Sequence, residues 1–180
     1  MGRGQGQSGA YGRKYAPTEE QKAECREKIR DDLADLAREE ANLLYAKTQF
    51  DPFDLTTWKT VFRGIPEDAF TAGGVNWPAA TIVNDLNGVL MSGTVLDGLM
   101  SWSQRKQNAP GHYNVLAKAG IISARSKEDL LEANTIRKMM THFYSNATAE
   151  DVFELVRMLE TLVPRLRHEL GPWLARLGVV

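Results

Sequence analysis

The chain has 180 residues, of which 25% are charged and 43% are hydrophobic, and its formal net charge is −1. This composition is typical of a water-soluble globular protein with one core, and the balanced charge excludes a uniformly basic or acidic surface. A single cysteine, Cys25, excludes an internal disulfide, and no stretch approaches the roughly 18 apolar residues of a membrane span. We therefore expect a cytoplasmic protein without membrane contact.

Residues 1–17 are rich in glycine, glutamine and serine, and their only charged residues are Arg3, Arg13 and Lys14. The segment has no apolar core of a secretory signal, and it cannot bury enough apolar surface to offset the entropy of ordering. We predict a flexible basic tail here, followed by one helical domain over residues 18–180.

The first predicted helix spans residues 18 to about 48. Thr18 and Gln21 fit a capping box, and apolar residues then recur at steps of three and four. The letters "FDPFD" end this helix. A short second helix is predicted from about 54 to 63, although a strand also fits the apolar pattern there.

The middle of the chain is interrupted by glycine and proline. "IPEDAF" predicts a short turn and "TAGGVNWP" a loop. Asn76 is predicted to cap the next helix, with Pro78 in its first turn, where proline is tolerated. Residues 78–107 are helical in pattern, but Ser92-Gly93 indicates either two helices or one kinked helix.

Further helices follow "NAPG", which is predicted to end the preceding one. A short helix is predicted over residues 112–119, ending at Gly120. Ser126 with Asp129 predicts the start of the next helix. The four tryptophans could stack on nucleic-acid bases, but they lie among apolar neighbours, so we expect them to pack in the core or in an interface.

The last long helix is predicted to begin at Thr148, with Asp151 as its capping partner, and to end at or just beyond Gly171. No alternating strand pattern occurs. The sequence therefore predicts an all-α bundle of about four major helices joined by short connectors.

The stretch "TIRKMMTHFYSN" holds the candidate site. It places Arg137, His142 and Tyr144 within eight residues, near the end of a predicted helix. Arg137 and His142 point about 140° apart on an ideal helix, so they share a site only where the helix ends. The alternative interpretation is a polar helix end without function.

Arginine and histidine together suit cleavage of a phosphodiester. Imidazole exchanges protons near neutral pH, and the guanidinium matches phosphate oxygens and stabilises negative charge that builds on them. RNA carries its own nucleophile, the 2′-hydroxyl. His112, His142 and His168 lie far apart in sequence and show no metal-ligand spacing, so we predict neither metal nor cofactor.

The region around this stretch is locally basic. Between Ser101 and Ser145 there are seven basic residues against three acids, in a chain whose net charge is −1. A basic surface is what a phosphate-binding cleft requires. We predict that Lys138, Arg125 and Lys127 contact RNA, unless the fold disperses these charges over a solvated surface.

These residues resemble the HEPN superfamily, in particular the toxins of toxin–antitoxin pairs. Residues 115–170 are similar to the C-terminal half of that family, where an apolar "L…GII" turn precedes a helix with Arg-x4-His-x-Tyr. The resemblance implies a bundle of four to five helices and a homodimeric, metal-independent endoribonuclease that leaves 2′,3′-cyclic phosphate and 5′-hydroxyl ends.

By the same resemblance, Arg137 binds the scissile phosphate and His142 is the general acid or base. Tyr144 matches a tyrosine that can receive adenylate from a nucleotidyltransferase antitoxin. The chain departs from the family at Lys138, where a small polar residue is usual. The alternative is a non-catalytic helical adaptor or transcriptional regulator of the same superfamily, similar to mannitol-repressor-like proteins.

Overall fold

A computed structural model describes residues 16–50, 53–62, 66–142 and 147–180; for residues 66–73 and 142 it describes the backbone alone. Residues 1–15 of the predicted tail lie outside these ranges. Within them the backbone forms α-helices and a 3₁₀ turn and no strand, which confirms the all-α prediction. The helices are α1 (Glu19–Lys47), α2 (Leu55–Phe62), α3 (Pro66–Leu96), α4 (Ala109–Lys118), α5 (Ala124–His142) and α6 (Ala149–Arg176), with the 3₁₀ turn at Trp102–Gln104.

Two of the three predicted capping pairs are confirmed. At the start of α1, the Gln21 N–H donates to Thr18 Oγ1 at 3.2 Å, and the Thr18 N–H donates to Gln21 Oε1 at 3.0 Å. At the start of α6, the Asp151 N–H donates to Thr148 Oγ1 at 3.1 Å, and Asp151 accepts the Thr148 N–H at 2.7 Å. These pairs satisfy backbone donors that a helix start otherwise leaves open.

The prediction of a loop before residue 76 is wrong. α3 is one continuous helix that begins at Pro66, so Asn76 is not its cap and Pro78 lies in the helix interior. The helix then buries apolar residues against α1, among them Val75, Ala79 and Ile82. Tertiary burial of this kind commonly outweighs the weak helix propensity of glycine and proline.

Of the two alternatives at Ser92-Gly93, two separate helices is wrong, because α3 runs through both residues to Leu96. Glycine is required there for a different reason. A Cβ atom on Gly93 would stand 2.2 Å from the ring of Trp173, which packs from α6 directly onto the α3 backbone. The chain turns after α3 at Gly98, whose φ of 70° places it in the left-handed region.

The start of α5 differs from the prediction as well. The helix begins at Ala124, and Ser123 Oγ accepts the Ser126 N–H at 3.1 Å. Ser123 therefore caps the helix in place of Ser126. Ser126 is fully buried, and its hydroxyl oxygen accepts a hydrogen bond from Arg165 Nε at 2.9 Å. The predicted end of α4 is confirmed, since the helix stops before Gly120, whose φ is 71°.

Contacts between the helices fix their relative positions. α1 packs most extensively on α3, and α6 packs on both α5 and α2. Trp58 of α2 is fully buried, and its Nε1 donates to the Ala149 carbonyl at 2.8 Å, which fixes α2 beside the start of α6. Cys25 of α1 is also fully buried. No described helix combines the length and the apolar character needed to cross a lipid bilayer.

Candidate functional site

Arg137 lies on α5, five residues before His142, the last residue of that helix. Its side chain is half-buried, and its Nε donates a hydrogen bond to Asn84 Oδ1 on α3 at 2.6 Å. The guanidinium makes no other hydrogen bond to a described residue. The contact fixes the direction of the side chain and leaves its terminal nitrogens available for an anion.

A buried polar network lies directly behind this contact. One turn further along α3, Asn87 Nδ2 donates to Asn134 Oδ1 on α5 at 3.2 Å, and the hydroxyl of Tyr113 on α4 donates to Asn87 Oδ1. Burial raises the pKa of Tyr113, against the opposing effect of the Arg137 charge, so the phenol remains a donor at neutral pH. The network therefore fixes the register of α3 on α5 and, with it, the Asn84–Arg137 contact.

The remaining residues of the motif are described only in part. His142 ends α5, and its backbone is described without its side chain. Tyr144 lies outside the described residues. The geometry thus supplies an oriented arginine and the position of the histidine along the helix.

The predicted RNA-contacting basic residues are spread along α5. Lys138 is exposed and follows Arg137 directly, whereas Arg125 and Lys127 lie in the first turn, which is about 15–18 Å away along the helix axis. Lys127 and Lys138 point within about 20° of each other on an ideal helix. Both lysines can therefore contact the phosphates of one RNA strand that runs along this side of α5.

The fold disperses part of the predicted basic excess. Arg105 forms an ion pair with Glu24 of α1, and its guanidinium lies 4.0 Å from the ring centroid of Trp102. On α5, by contrast, the acid Asp129 is paired with Arg165 of α6. The free positive charge is thus weighted towards α5 rather than towards the 3₁₀ turn.

A small cleft opens beside the last turn of α5. It has a volume of about 220 Å³, and its described lining consists of Phe62, Asn76, Trp77, Ala80, Met140, Thr141, Ala147 and Val152. Trp77 is 70% exposed, so it does not pack in the core of this chain, whereas Trp58 and Trp173 are buried as predicted. The cleft is mostly apolar and lies next to the Arg137 contact.

From the sequence, Trp77 is expected to pack, and Asn84 is not singled out. A signal for them was present, because Trp77 and Asn84 are seven residues apart and so share one side of a helix. That signal could not be used while residues 71–78 were interpreted as a loop. Asn84 also required knowledge of which helix faces Arg137, and helical periodicity alone does not give this.

Among the described residues, no three histidine, cysteine, aspartate or glutamate side chains are grouped so that they could hold a metal ion. Comparisons of the chain with protein-family models, with curated proteins and with solved structures found no match. They neither support nor oppose the resemblance to the HEPN superfamily.

Proposed function

We propose that the protein is a metal-independent endoribonuclease of the HEPN type, in which Arg137 and His142 act on the scissile phosphate. The observation that carries the proposal is the Asn84–Arg137 hydrogen bond of 2.6 Å, which aims a guanidinium with open donors from α5, one and a half turns before the histidine. A cation oriented before the substrate arrives stabilises charge in the transition state without reorganisation.

The chemistry uses the nucleophile of the RNA itself. An imidazole of His142 removes the proton of the 2′-hydroxyl, and the 2′-oxygen attacks the adjacent phosphorus. Arg137 stabilises the negative charge that develops on the non-bridging oxygens. The bond to the 5′-oxygen breaks, that oxygen takes up a proton, and the products carry a 2′,3′-cyclic phosphate and a 5′-hydroxyl.

A homodimer supplies the second proton-transfer group. In-line transfer requires a base at the 2′-oxygen and an acid at the 5′-oxygen, and one histidine cannot stand on both sides of the phosphorus at once. Two copies related by a twofold axis would contribute one His142 each. On α5, the exposed Lys138 and the more distant Lys127 and Arg125 would hold flanking phosphates.

We further propose a toxin–antitoxin setting, with Tyr144 as the residue that an antitoxin nucleotidyltransferase adenylates. This proposal rests on the sequence resemblance alone. Coexpression with such a partner should raise the intact mass of the protein by one adenylate, and Tyr144→Phe should abolish the increase. An unchanged mass would remove the partner from the proposal.

The nuclease proposal is tested by incubating RNA with the purified protein in EDTA. Arg137→Ala and His142→Ala should each lower the cleavage rate by roughly 100-fold or more, the usual loss when a transition-state donor is removed. Arg157→Ala and His168→Ala are matched controls, because both residues are exposed on α6, and they should cut at the wild-type rate.

Two results would overturn the proposal: cleavage that disappears in the chelator, or full cleavage by both motif variants. Intact RNA under all conditions would favour the alternative, a non-catalytic adaptor or regulator. In that case a protein partner should copurify with the wild-type chain and be lost from the variants.

A further inference from the structure

The described α3–α5 contacts define one antiparallel register. Asn87 pairs with Asn134, and one turn earlier on α3, Asn84 pairs with Arg137. The next turn in the same register brings Ala80 opposite Thr141, and both residues line the small cleft. The cleft therefore lies about one helical turn beyond the Asn84–Arg137 contact in this register.

Trp77 marks the open side of this cleft. Its large aromatic ring is 70% exposed, although tryptophan is among the side chains that gain most from leaving water. It lies seven residues before Asn84, which on one helix corresponds to about 10 Å and an offset of about 20°. Trp77 thus lies on the same side of α3 as Asn84.

Asn76 lines the cleft and carries a polar atom that has no described partner. Its Oδ1 is buried and accepts no hydrogen bond from any described residue. A buried acceptor without a donor is unfavourable, and a ligand that brings an N–H group removes that cost. The cleft therefore suits a flat apolar group with a donor on its edge.

We propose that this cleft is a subsite for one unpaired nucleobase of the RNA, which stacks on Trp77 and donates a hydrogen bond from its edge to Asn76 Oδ1. The inference rests on the proposed function, because it requires the RNA strand whose phosphate binds Arg137 to continue into the cleft. Aromatic side chains bind single-stranded RNA in this way, with little dependence on base identity.

The size of the cleft favours a single base over other occupants. About 220 Å³ is less than the roughly 300–1,000 Å³ of pockets for drug-sized ligands. A docked peptide helix needs a longer groove with anchor positions at successive turns. The positive charge of Arg137 and Lys138 beside the cleft complements the phosphates on either side of the base.

The test measures equilibrium binding of a labelled single-stranded RNA by fluorescence anisotropy, in EDTA and in the His142→Ala background so that the RNA stays intact. Trp77→Ala should weaken binding about tenfold, in line with the cost of losing one base–aromatic stack. Trp77→Phe keeps a ring and should bind within about threefold of the parent. Tyr45→Ala is the matched control, because Tyr45 is 71% exposed and does not line the cleft.

A second RNA with abasic nucleotides separates base contacts from phosphate contacts. Trp77→Ala should have no effect on the affinity for this RNA, whereas Arg137→Ala should weaken the binding of both the normal and the abasic RNA. Asn76→Leu should weaken binding of the normal RNA, because it removes the acceptor oxygen.

The outcomes distinguish the subsite from the nuclease. Trp77-dependent binding without cleavage by the wild type retains the subsite and overturns the catalytic proposal. If the wild type cleaves RNA but Trp77→Ala leaves the affinity unchanged, the subsite alone is overturned. If no RNA binds, the subsite and the nuclease proposal are both overturned. Conversion of a dimer to a monomer by Trp77→Ala, seen by size-exclusion chromatography, would assign the cleft to a subunit interface and overturn the subsite.

Discussion

An arginine side chain on a helix surface samples many rotamers, and this freedom must be lost before the guanidinium can meet a phosphate. In this protein Asn84 removes that freedom in advance, through its hydrogen bond to Arg137 Nε. The buried Asn87–Asn134 pair one turn away holds the two backbones at the spacing that the contact needs. In the proposed nuclease, Asn84 is therefore a positioning residue that acts through Arg137.

Asn84→Ala should lower the cleavage rate by about 10- to 100-fold, because small misplacements of a catalytic group have effects of this size. The loss should be smaller than that of Arg137→Ala, since the cation remains. Cleavage assays at saturating RNA, compared with thermal unfolding, check this: the rate should fall while the melting temperature stays close to wild type. Asn114→Ala, on the exposed side of α4, is the control.

An equal loss in Asn84→Ala and Arg137→Ala would mean that the asparagine contacts the RNA directly. An unchanged rate would mean that the Asn84 contact plays no part in catalysis. Asn84→Asp adds a further readout, since the carboxylate would compete with phosphate for the guanidinium. It should raise KM more than it lowers kcat.

At the scale of elements, the close approach of α6 to α3 depends on Gly93. The Trp173 ring occupies the space where a Cβ would stand, and the indole is held in place because its Nε1 donates to Asp97 Oδ2 at 2.9 Å. Trp173 is only 4% exposed, so it has little room to move away. The glycine thus sets the distance between the two helices.

Gly93→Ala should lower the free energy of unfolding by about 1–3 kcal/mol, the usual cost of overpacking a core. The loss should occur even though alanine is intrinsically the better helix residue by about 1 kcal/mol. Gly111→Ala is the matched control, since a Cβ there meets nothing within 4 Å in α4, and it should be neutral or stabilising. Urea unfolding of both variants provides the measurement, and a stabilised Gly93→Ala would contradict the packing argument.

The elements that the sequence predicted correctly are those with local signals. Capping boxes at Thr18 and Thr148 and the left-handed glycine at Gly120 each depend on neighbouring residues, and all three are confirmed. Most errors concern α3, where glycine and proline indicated loops, and one concerns the start of α5, where Ser123 takes the place predicted for Ser126. The α3 residues are helical because α1 and α6 pack against them, and neighbouring residues in the sequence do not indicate that packing.

The same division applies to the candidate site. Arg137 and the helix position of His142 follow from a local motif, and their chemistry follows from the residue types. Asn84 and Trp77 belong to α3, more than fifty residues away in sequence, and only the fold brings them beside the motif. Their roles could not be derived from spacing along the chain.

At the scale of the whole molecule, the α1–α3 interface buries carboxylates within an otherwise apolar contact. Asp32 and Asp85 are 3% and 8% exposed, and each has an Oδ2 atom without a hydrogen-bond partner among the described residues. Burial, together with the neighbouring charges of Asp32, Asp35 and Glu39, raises the pKa of Asp85 to about 6 against the opposing effect of Lys28. Burial likewise raises the pKa of Asp32, whose other oxygen is paired with Lys28.

These carboxylates should make the protein less stable as the pH rises from about 4 to about 6. The folded chain holds the Asp85 proton more tightly than the unfolded chain, in which the ordinary pKa of 3.8 applies. The stabilisation is therefore complete below the unfolded value and is lost as the pH passes through the folded value. A gap of about two pKa units corresponds to at most about 3 kcal/mol.

Asp85→Asn removes the ionisation while keeping the shape of the protonated acid. It should raise the free energy of unfolding by about 1–3 kcal/mol at pH 7 and change it little at pH 4, so that the pH dependence between these values becomes flatter. Urea unfolding at intervals of pH checks this, with Glu154→Gln on the exposed side of α6 as a control for the change in net charge. An Asp85→Asn variant with the wild-type slope would show that Asp85 ionises in the folded state without penalty.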